Sequence, residues 1–250
     1  MQTGGLRTKG ITKSSRPGEP LISVVTVVHD GAETLEQTIR SVLGQTYGNV
    51  EYVIIDGGST DGTLDIIRKY EDKIDFWQSE PDGGIYDAMN KGVSLATGEY
   101  IALLNADDWY EPGTCALVAG ETGRSRADVY HGLLRFLDRD GNVLKIEGWT
   151  TALIADGMIA HPTCFVSREV YMKNKYDVSF RSAADYDFIN RLVREGASFC
   201  FLPEIMANFR TGGSSAGKTN VMETNRIRRR YGYISPLGYF LRSILYKLTK

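Results

Sequence analysis

Two adjacent carboxylates follow a short apolar segment near the middle of the chain. Asp107 and Asp108 come directly after Asn105 and Ala106, and residues 100–104 before them are mostly apolar. This pattern predicts a buried strand that carries the acids at its carboxyl end, where open α/β sheets bind their ligands. Carboxylate and amide oxygens suit a hard divalent cation that is shared with phosphate groups. The alternative that this segment leaves open is an aspartate that caps a helix.

Polar residues also follow two earlier predicted strands. Residues 21–28 form a continuous, mostly β-branched run that ends at His29, as expected for a strand buried on both faces. Residues 52–55 form a second run, which ends at Asp56 in the sequence DGGSTDG. Parallel strands end at one edge of their sheet, so we expect both loops to lie beside Asn105. The pattern GxGxxG is absent after the first strand, which argues against a dinucleotide cofactor.

Two further candidates stand in the second half of the chain. Asp185 and Asp187 begin a predicted helix over residues 185–195. One acid can cap the helix while the other points into a cleft, or both can complement the positive end of the helix dipole. His161 begins residues 161–166, which we expect to line a pocket, with a purely structural histidine as the alternative.

A glycine-rich segment matches a phosphate-binding pattern. Residues 212–219 fit GxxxxGK[ST], the P-loop signature. The P-loop mechanism also needs a later metal-binding aspartate, and the residues after Thr219 contain none. We therefore expect a glycine-rich loop that can hold phosphate through its backbone N–H groups without being part of a P-loop domain.

The spacing of apolar residues predicts the elements that position these side chains. Helical stripes alternate with short apolar strands over roughly the first 110 residues, in the order β-α-β-α-β-α-β. This alternation predicts a doubly wound, mostly parallel sheet in an α/β fold. The second half is less regular, with strands predicted over residues 127–136 and 142–147 and short strands over residues 199–202 and 207–209. We interpret residues 21–217 as one α/β domain with a smaller mixed C-terminal region.

The composition is that of an ordinary globular protein, with 42% apolar and 24% charged residues. A net charge of −2 gives no reason to expect a nucleic-acid partner. Three widely spaced cysteines argue against a disulfide framework or a cysteine zinc site and fit a reducing cytoplasm. No apolar stretch suggests a signal peptide or reaches the ~18 residues of a membrane span. Residues 1–20 are rich in glycine and proline without periodicity, which predicts a disordered leader.

Basic residues are concentrated towards the C-terminal end. Residues 218–250 contain eight lysines or arginines and one acid, Glu223. The apolar residues between them predict a cationic, amphipathic helical tail that can lie on an anionic membrane surface. Two alternatives stay open: the helix docks on the domain, or it faces a partner subunit in a homo-oligomer.

Four segments of the chain resemble the family 2 glycosyltransferases, especially bacterial members that build surface polysaccharides. They are SVVTVVHDGAETLEQTIRSVLGQTY, YVIIDGGSTDGTLDII, SEPDGGIYDAMNKGVSLATGEYIALLNADDWY, and the pair HPTCFVSREVY and AADYDF. The resemblance implies a GT-A fold and transfer of a sugar, with inversion, from a nucleotide diphosphate donor, UDP preferred, to an acceptor hydroxyl. It also implies Mn²⁺ or Mg²⁺ as cofactor and a saccharide or lipid-linked saccharide as acceptor. We expect a cytoplasmic protein, peripheral at the inner face of the membrane.

The resemblance also implies roles for individual residues. Asp185 matches the general base that takes the proton of the acceptor hydroxyl, and Asp107 matches the metal ligand of the DxD motif. The positions that hold the nucleotide are Thr26, His29, Glu33, Asp56 and Asn105, and the candidates for binding the rest of the substrates are Asp82, His161, Gly212, Gly213 and Ser214.

Four positions depart from the family pattern. His29 replaces the commoner tyrosine, so its stacking on the base is expected to differ. Gly57 stands where many members have a second acid, and Ala184 replaces the acid often found before the base. Asn105 replaces the first aspartate of DxD, and its amide oxygen can bind metal or ribose without the charge.

Two other classes of function share parts of this pattern. A metal-dependent nucleotidyltransferase or sugar-nucleotide hydrolase would use the same metal carboxylates without needing an acceptor base. A non-catalytic module would bind the nucleotide-sugar without catalysing a reaction.

Overall fold

The computed structural model describes residues 1–155, 157–212 and 218–239, and it describes no side chain for Lys218. The strands are β1 (Gln2–Gly4), β2 (Ile22–Val28), β3 (Val50–Asp56), β4 (Phe76–Ser79), β5 (Tyr100–Leu103), β6 (Trp109–Tyr110), β7 (Val129–Leu137), β8 (Val143–Glu147), β9 (Phe165–Ser167) and β10 (Phe199–Arg210). The helices are α1 (Leu35–Leu43), α2 (Thr63–Lys69), α3 (Ile85–Leu95), α4 (Thr114–Thr122), α5 (Arg168–Lys173), α6 (Ala184–Arg194) and α7 (Lys218–Arg230).

Within these ranges the strands form one mixed sheet in the order β1-β4-β3-β2-β5-β9-β7-β10-β6, and β8 pairs with β7. The predicted β-α alternation is confirmed, because β4, β3, β2 and β5 are parallel neighbours. Beyond β5 the pairing with β9 is antiparallel, while β10 runs parallel to β7. The carboxyl ends of β2, β3 and β5 therefore meet at one edge of the sheet.

The two faces of the sheet bury separate apolar cores. Alternate residues of a strand point to opposite faces, so Val24 belongs to a core with α1, α2 and α4, and Val25 to a core with α3, α5 and α6. Helices on both faces explain why every residue of β2 and β3 is buried and why their sequences are nearly continuously apolar. The result is a three-layer α/β/α arrangement that fixes the edge where the loops begin.

The C-terminal half is less regular, as its sequence pattern predicts. The two short strands predicted over residues 199–202 and 207–209 are a single strand, β10, which pairs with β7 through two register shifts between Phe201 and Ala207. Pro203 lies within this irregular stretch. A proline cannot donate a ladder hydrogen bond, which is why the apolar pattern breaks there although the strand continues.

The prediction that residues 1–20 form a disordered leader is wrong. β1 pairs antiparallel with β4 and extends the sheet at that edge, and Lys13 Nζ lies 2.8 Å from the carboxylate of buried Asp75. A Cβ atom at Gly4 would lie 2.4 Å from Trp77 Nε1, so this close packing requires a glycine. These contacts use backbone groups and an ion pair, which leave no periodic apolar pattern in the sequence.

The first part of the basic C-terminal segment is docked on the domain. α7 contacts α6, Ile227 is fully buried, and Arg230 Nη1 donates to Asp187 Oδ1 at 2.7 Å. For residues 218–230, the structure thus agrees with the alternative in which the helix docks on the domain. The predicted apolar and basic positions within residues 240–250 lie outside the described residues. Among the helices that the structure describes, none is long and apolar enough to cross a membrane.

His131 of β7 is a buried titratable group whose protonation opposes folding. Only 1% of its surface is exposed, and its ring packs against Phe199 and Phe201. Its Nδ1 has no hydrogen-bond partner within the described residues, and burial lowers the pKa of the imidazole to about 4. An unfolded histidine has a pKa of about 6.5, so the unfolded chain takes up the proton first as the pH falls. The contribution of neutral His131 to the free energy of unfolding is therefore complete above pH ~6.5, and it is lost as the pH falls towards 4.

We expect His131→Leu to make the fold less sensitive to acid. Between pH 7 and pH 4.5 the wild type should lose about 2–3 kcal/mol of unfolding free energy through this histidine, and the variant should not. Urea unfolding at the two pH values measures the difference. His29→Leu removes an exposed imidazole and should follow the wild type. Equal acid sensitivity in His131→Leu would show that His131 does not titrate on unfolding.

Candidate active site

A cavity of about 680 Å³ opens at the edge where β2 and β5 end. One wall is formed by the loops after these strands, and the other by the β7–β8 hairpin, by parts of residues 149–162 and by the start of α6. At this cavity the structure brings together several of the residues predicted from the sequence, namely His29, Asn105, Asp107, His161 and Asp185.

Two predicted nucleotide-binding residues have buried side chains that are used inside the protein. The Thr26 hydroxyl accepts a hydrogen bond from Tyr52 Oη at 3.1 Å, in the core on the α1 side of the sheet. The fully buried carboxylate of Asp56 accepts from Ser59 Oγ at 2.5 Å and from Ser79 Oγ at 2.6 Å. Neither residue lines the cavity. Their side chains instead make hydrogen bonds inside the protein at the end of the sheet where the loops begin.

The remaining predicted positions lie away from the cavity lining or outside the described residues. Glu33 is exposed and does not line the cavity. Gly212 lies in an exposed turn after β10, near the guanidinium of Arg139. Gly213 and Ser214 lie outside the described residues.

Asp82 lies next to Gly57, on the same side of this glycine as His29. A Cβ atom added to Gly57 would lie 2.7 Å from Asp82 Oδ2 and 3.2 Å from His29 Nδ1. The carboxylate of Asp82 and the imidazole of His29 therefore converge on the space that a side chain at position 57 would need. An acid at that position, as in the family pattern, has no room here unless Asp82 moves.

The loop after β2 is held in shape by the DGGSTDG segment. The Asp30 N–H donates to Ser59 Oγ at 2.8 Å, and Asp30 Oδ1 accepts from the Thr60 N–H at 2.8 Å. Asp61 Oδ2 accepts from the Ala32 N–H at 2.9 Å. These bonds hold Asp30 at a φ of 48°, a region that residues other than glycine rarely adopt. A strained backbone conformation that is held by several hydrogen bonds is typical of functional loops.

Asn105, Asp107 and Asp108 form an oxygen-rich corner at the end of β5. Asn105 Oδ1 and Asp108 Oδ2 are buried and have no hydrogen-bond partner within the described residues. Burial raises the pKa of Asp107, and burial together with the charge of Asp107 raises the pKa of Asp108 well above its usual range. Arg210 opposes both shifts by its charge, and its backbone N–H donates to Asp108 Oδ1 at 3.3 Å.

This corner fits a divalent cation. A hard cation prefers oxygen ligands, and its charge would favour the ionised form of two acids that burial disfavours. The described residues contain no group of three or more histidine, cysteine or acidic side chains arranged to hold a metal. Asp107 is the carboxylate of this corner that lines the cavity, and phosphate oxygens and water would be further ligands of the ion.

Asp185 lies in the first turn of α6 and lines the cavity. Its Oδ1 accepts hydrogen bonds from Tyr86 Oη at 3.2 Å and from the Tyr186 N–H at 2.9 Å. Burial raises the pKa of Asp185, while His161 and the two donors act in the opposite direction. A carboxylate with a raised pKa, oriented by two donors at the wall of a cavity, is suited to take a proton.

His161 is tied to a buried chain of tyrosines. Its Nε2 lies 2.9 Å from Tyr176 Oη, which lies 3.0 Å from Tyr171 Oη. Tyr86, the residue that donates to Asp185, stacks on Tyr176 with 5.7 Å between ring centroids. Burial lowers the pKa of His161, so the neutral imidazole is favoured. His161 thus lines the cavity and also contacts the buried tyrosines that lie next to Tyr86.

α7 fixes the segment that precedes Asp185. Helix α6 begins without a side-chain cap from Ala183. Instead, the carboxylate of Glu223 accepts hydrogen bonds from the backbone N–H groups of Arg181, Ser182 and Ala183 at 2.9, 2.8 and 3.1 Å. A carboxylate at a helix N-terminus satisfies free N–H groups and complements the dipole. The basic C-terminal segment therefore contributes an acid that holds the residues preceding Asp185.

The sequence matches the family model described as Glycosyl transferase family 2 over residues 23–195, which is more than half of the chain. The chain belongs to this family. The PGL/p-HBAD biosynthesis glycosyltransferase of Mycobacterium bovis is 34% identical over 178 residues, which cover 68% of each chain. An uncharacterized glycosyltransferase of Mycobacterium tuberculosis is 31% identical over 179 residues, which cover 69% of this chain and 68% of the relative.

Solved structures of glycosyltransferases share the fold of this family 2 member. S. aureus TarS 1-349 in complex with UDP-GlcNAc superposes with a TM-score of 0.70 at 17% identity, covering 84% of this chain and 65% of that chain. Mannosyltransferase PcManGT from Pyrobaculum calidifontis in complex with GDP-Man and Mn²⁺ has a TM-score of 0.60 at 16% identity, covering 90% and 64%. The predicted GT-A fold is confirmed, and this chain spans just under two thirds of either neighbour.

Three residues of this glycosyltransferase's cavity region were missed by sequence reasoning. Tyr86 lies in the segment GIYDAMN, where its spacing within a helical stripe marks it as a core residue and hides the role of its hydroxyl. Trp149 and Glu223 carry no local signal, because their contacts join parts of the chain that are far apart in sequence. In the sequence, Glu223 stands out only as the single acid of a basic segment.

We expect Glu223→Ala to lower sugar transfer through the position of Asp185. Loss of three charge-assisted hydrogen bonds should destabilise the fold by about 1–3 kcal/mol, and a displaced Asp185 carboxylate should lower turnover more than donor affinity. Glu223→Gln keeps an acceptor oxygen and should be intermediate. Val221→Ala changes an exposed residue of the same helix and serves as the control. Unchanged turnover in folded Glu223→Ala would show that the contact of α7 with the residues before Asp185 does not affect activity.

Proposed function

We propose that this glycosyltransferase moves a sugar from a nucleoside diphosphate donor, with UDP preferred, to an acceptor hydroxyl with inversion at the anomeric carbon. The observation that carries the proposal is that Asp107 and Asp185 line the same cavity. One carboxylate is suited to hold the diphosphate through a cation, and the other to take the acceptor's proton. A single displacement needs no carboxylate nucleophile in addition to the base.

In this proposal Asp185 is the general base. The acceptor oxygen attacks the anomeric carbon from the face opposite the diphosphate. The bond from that carbon to the diphosphate oxygen breaks, and its electron pair leaves with the diphosphate. The hydroxyl proton passes to the Asp185 carboxylate. Because Tyr86 and Tyr186 both donate to Oδ1, Oδ2 is the oxygen that would accept this proton.

Asn105 and Asp107 are the residues proposed to hold the divalent ion, with Asp108 supporting the corner from the interior. When bound, Mn²⁺ or Mg²⁺ would neutralise the negative charge that grows on the leaving diphosphate. The amide of Asn105 leaves the corner with one negative charge fewer than the usual motif. Arg210, whose charge acts on both aspartates, lowers the local negative charge further.

The preference for UDP rests on the resemblance of the donor-side segments. Among similar folds, TarS is described with UDP-GlcNAc and PcManGT with GDP-Man and Mn²⁺. Since the fold takes both bases, GDP-sugars are the rival that an experiment must include. The side chain of His29, 65% exposed at the cavity, can stack on either base.

We also propose a saccharide or lipid-linked saccharide as acceptor and a place in the cytoplasm at the inner face of the membrane. The name of the Mycobacterium bovis relative, a PGL/p-HBAD biosynthesis glycosyltransferase, is in line with this class of product. Contact of the basic segment with an anionic membrane stays a prediction, because most of its apolar positions lie within residues 240–250.

A thermal-shift panel of UDP-, GDP- and dTDP-sugars, each with and without Mn²⁺, tests this function. A UDP-sugar with Mn²⁺ should raise the melting temperature by about 5 °C at saturation, more than either component alone. NMR of the glycosylated product then reports the anomeric configuration, which should be opposite to that of the donor. A panel in which no nucleotide-sugar raises the melting temperature with Mn²⁺ overturns the function, and a larger shift with GDP-sugars overturns the UDP preference.

A further inference from the structure

The wall of the cavity on the side of Asp185 combines aromatic and apolar residues with polar ones. It is built from the C-terminal half of the chain, as Asp185 is, whereas His29 and Asp107 come from the N-terminal half. The apolar residues of this wall are Leu134, Phe136, Trp149, Met158, Pro162 and Phe209. Aromatic and apolar side chains in the same cavity as the proposed base are a candidate surface for the acceptor.

The indole of Trp149 is held in place by packing against other parts of the protein. A Cβ atom at Gly157 would lie 2.2 Å from Trp149 Cδ2, so the backbone at Gly157 packs directly against the indole. The indole also packs against the core on the α3 side of the sheet. It is nevertheless only half-buried and lines the cavity. Trp149 is therefore an aromatic residue that packing holds in place and that is exposed to the cavity.

Hydrogen-bonding groups surround this aromatic surface. Lys145 Nζ and Glu147 Oε1 of β8 lie 2.9 Å apart, and both residues line the cavity. Lys145 Nζ also lies 4.4 Å from the centre of the Phe136 ring. Beside Asp185, Ser182 and Asn220 line the cavity, and Asn220 Nδ2 donates to Ser182 Oγ at 3.2 Å.

We infer that this part of the cavity binds a sugar ring of the acceptor, stacked on Trp149. A pyranose has a face of C–H bonds and a rim of hydroxyl groups, so it packs on a flat aromatic surface while its hydroxyls reach polar groups at the edges. Trp149 supplies the surface, and the Lys145–Glu147 pair and Ser182 supply the edges. The inference rests on the proposed function, in which Asp185 takes the proton from one hydroxyl of this ring.

An aliphatic acceptor chain fits the lining less well. It would cover the Lys145–Glu147 pair and the guanidinium of Arg181 with hydrocarbon, and charges that lose water without gaining a partner cost free energy. Sugar hydroxyls replace the hydrogen bonds to water. The exposed apolar residues Leu144 and Ile146 alternate with Lys145 and Glu147 along β8, so they lie on the face directed away from the cavity.

Trp149→Ala tests the inference, with methyl glycosides of common hexoses and 6-deoxyhexoses as acceptors and with saturating donor and Mn²⁺. The variant should raise the acceptor KM by about tenfold, the loss expected for one stacked ring, while hydrolysis of the donor without acceptor stays unchanged. Trp149→Phe keeps an aromatic surface and should restore most of the affinity. Leu144→Ala, on the opposite face of β8, is the matched control. If Trp149→Ala does not fold, acceptor-dependent quenching of tryptophan fluorescence decides: it should occur in the wild type and vanish in Trp149→Phe.

Four outcomes overturn the inference. An unchanged acceptor KM in Trp149→Ala would show that the ring does not stack on Trp149, and an equal rise in Leu144→Ala would show that the effect is not specific to the cavity face of the hairpin. A wild-type enzyme that binds and hydrolyses its donor but glycosylates none of the methyl glycosides would overturn the saccharide site and leave the proposed function standing. Absence of Mn²⁺-dependent donor binding would overturn both.

Discussion

Asp185→Asn should lower sugar transfer by about 10²- to 10⁴-fold, the range for loss of a general base. Asparagine keeps the shape of the side chain and an oxygen that can accept from Tyr86 and Tyr186, but it cannot take the acceptor's proton. Donor binding should persist, because the proposed metal and diphosphate contacts lie on the opposite wall of the cavity. Release of nucleoside diphosphate with and without acceptor, together with the donor-induced thermal shift, measures both effects. Transfer at near wild-type rate would show that another group is the base.

The pH dependence of transfer provides a second check on the same residue. Because burial raises the pKa of Asp185, activity should fall on the acid side at a higher pH than for an ordinary aspartate. Tyr86→Phe removes a donor that favours the ionised carboxylate, so it should move this acid limb to still higher pH. If Tyr86 had a purely structural role, Tyr86→Phe would change the stability or the rate but would not shift the acid limb of the pH–activity profile.

The parallel half of the fold could be predicted because its physics is local. Strands covered on both faces are mostly apolar along their length, as β2, β3 and β5 are, so their carboxyl ends were predictable as the edge that carries the site. For the same reason His29, Asn105 and Asp107, which follow two of those strands, meet at the cavity.

The rest could not be predicted because it depends on contacts between distant parts of the chain. Composition suggested a disordered leader, yet backbone pairing of β1 with β4 and the Lys13–Asp75 ion pair order it. Spacing placed Asp56 at the strand end, but Ser59 and Ser79 take up its carboxylate. Such partners are visible only when the chain is folded.

The same limit applies to the C-terminal half of the site. Asp185 was identified through resemblance and through its place at a helix start, where a simple effect on the helix dipole was an equal alternative. The structure adds Tyr86 as its donor and Glu223 as the anchor of the preceding loop. The charge pattern of residues 218–250 left membrane contact, docking on the domain and contact with a partner subunit open, whereas the docking of α7 depends on buried Ile227, on the hydrogen bonds of Glu223 and on the Arg230–Asp187 ion pair.

Asp107→Asn should remove most of the Mn²⁺-dependent part of donor binding and lower transfer by about 10²- to 10³-fold, since the metal contributes several kcal/mol of charge stabilisation. Asp107 is the carboxylate of the corner that lines the cavity. Asp108 is buried and accepts a hydrogen bond from the Arg210 backbone N–H, so Asp108→Asn should change stability more than metal dependence. Titration of the donor-induced thermal shift with Mn²⁺ separates the two variants.

The reverse substitution makes this prediction sharper. Asn105→Asp restores the negative charge that the corner lacks compared with the DxD pattern, at a side-chain oxygen that is buried and without a partner among the described residues. It should lower the Mn²⁺ concentration that gives half of the donor-induced shift. Without the cation it should lower the melting temperature, because it adds a third acid to two that burial already disfavours as anions. If Asn105→Asp changes neither value while Asp107→Asn keeps its Mn²⁺ dependence, the corner does not bind the cation.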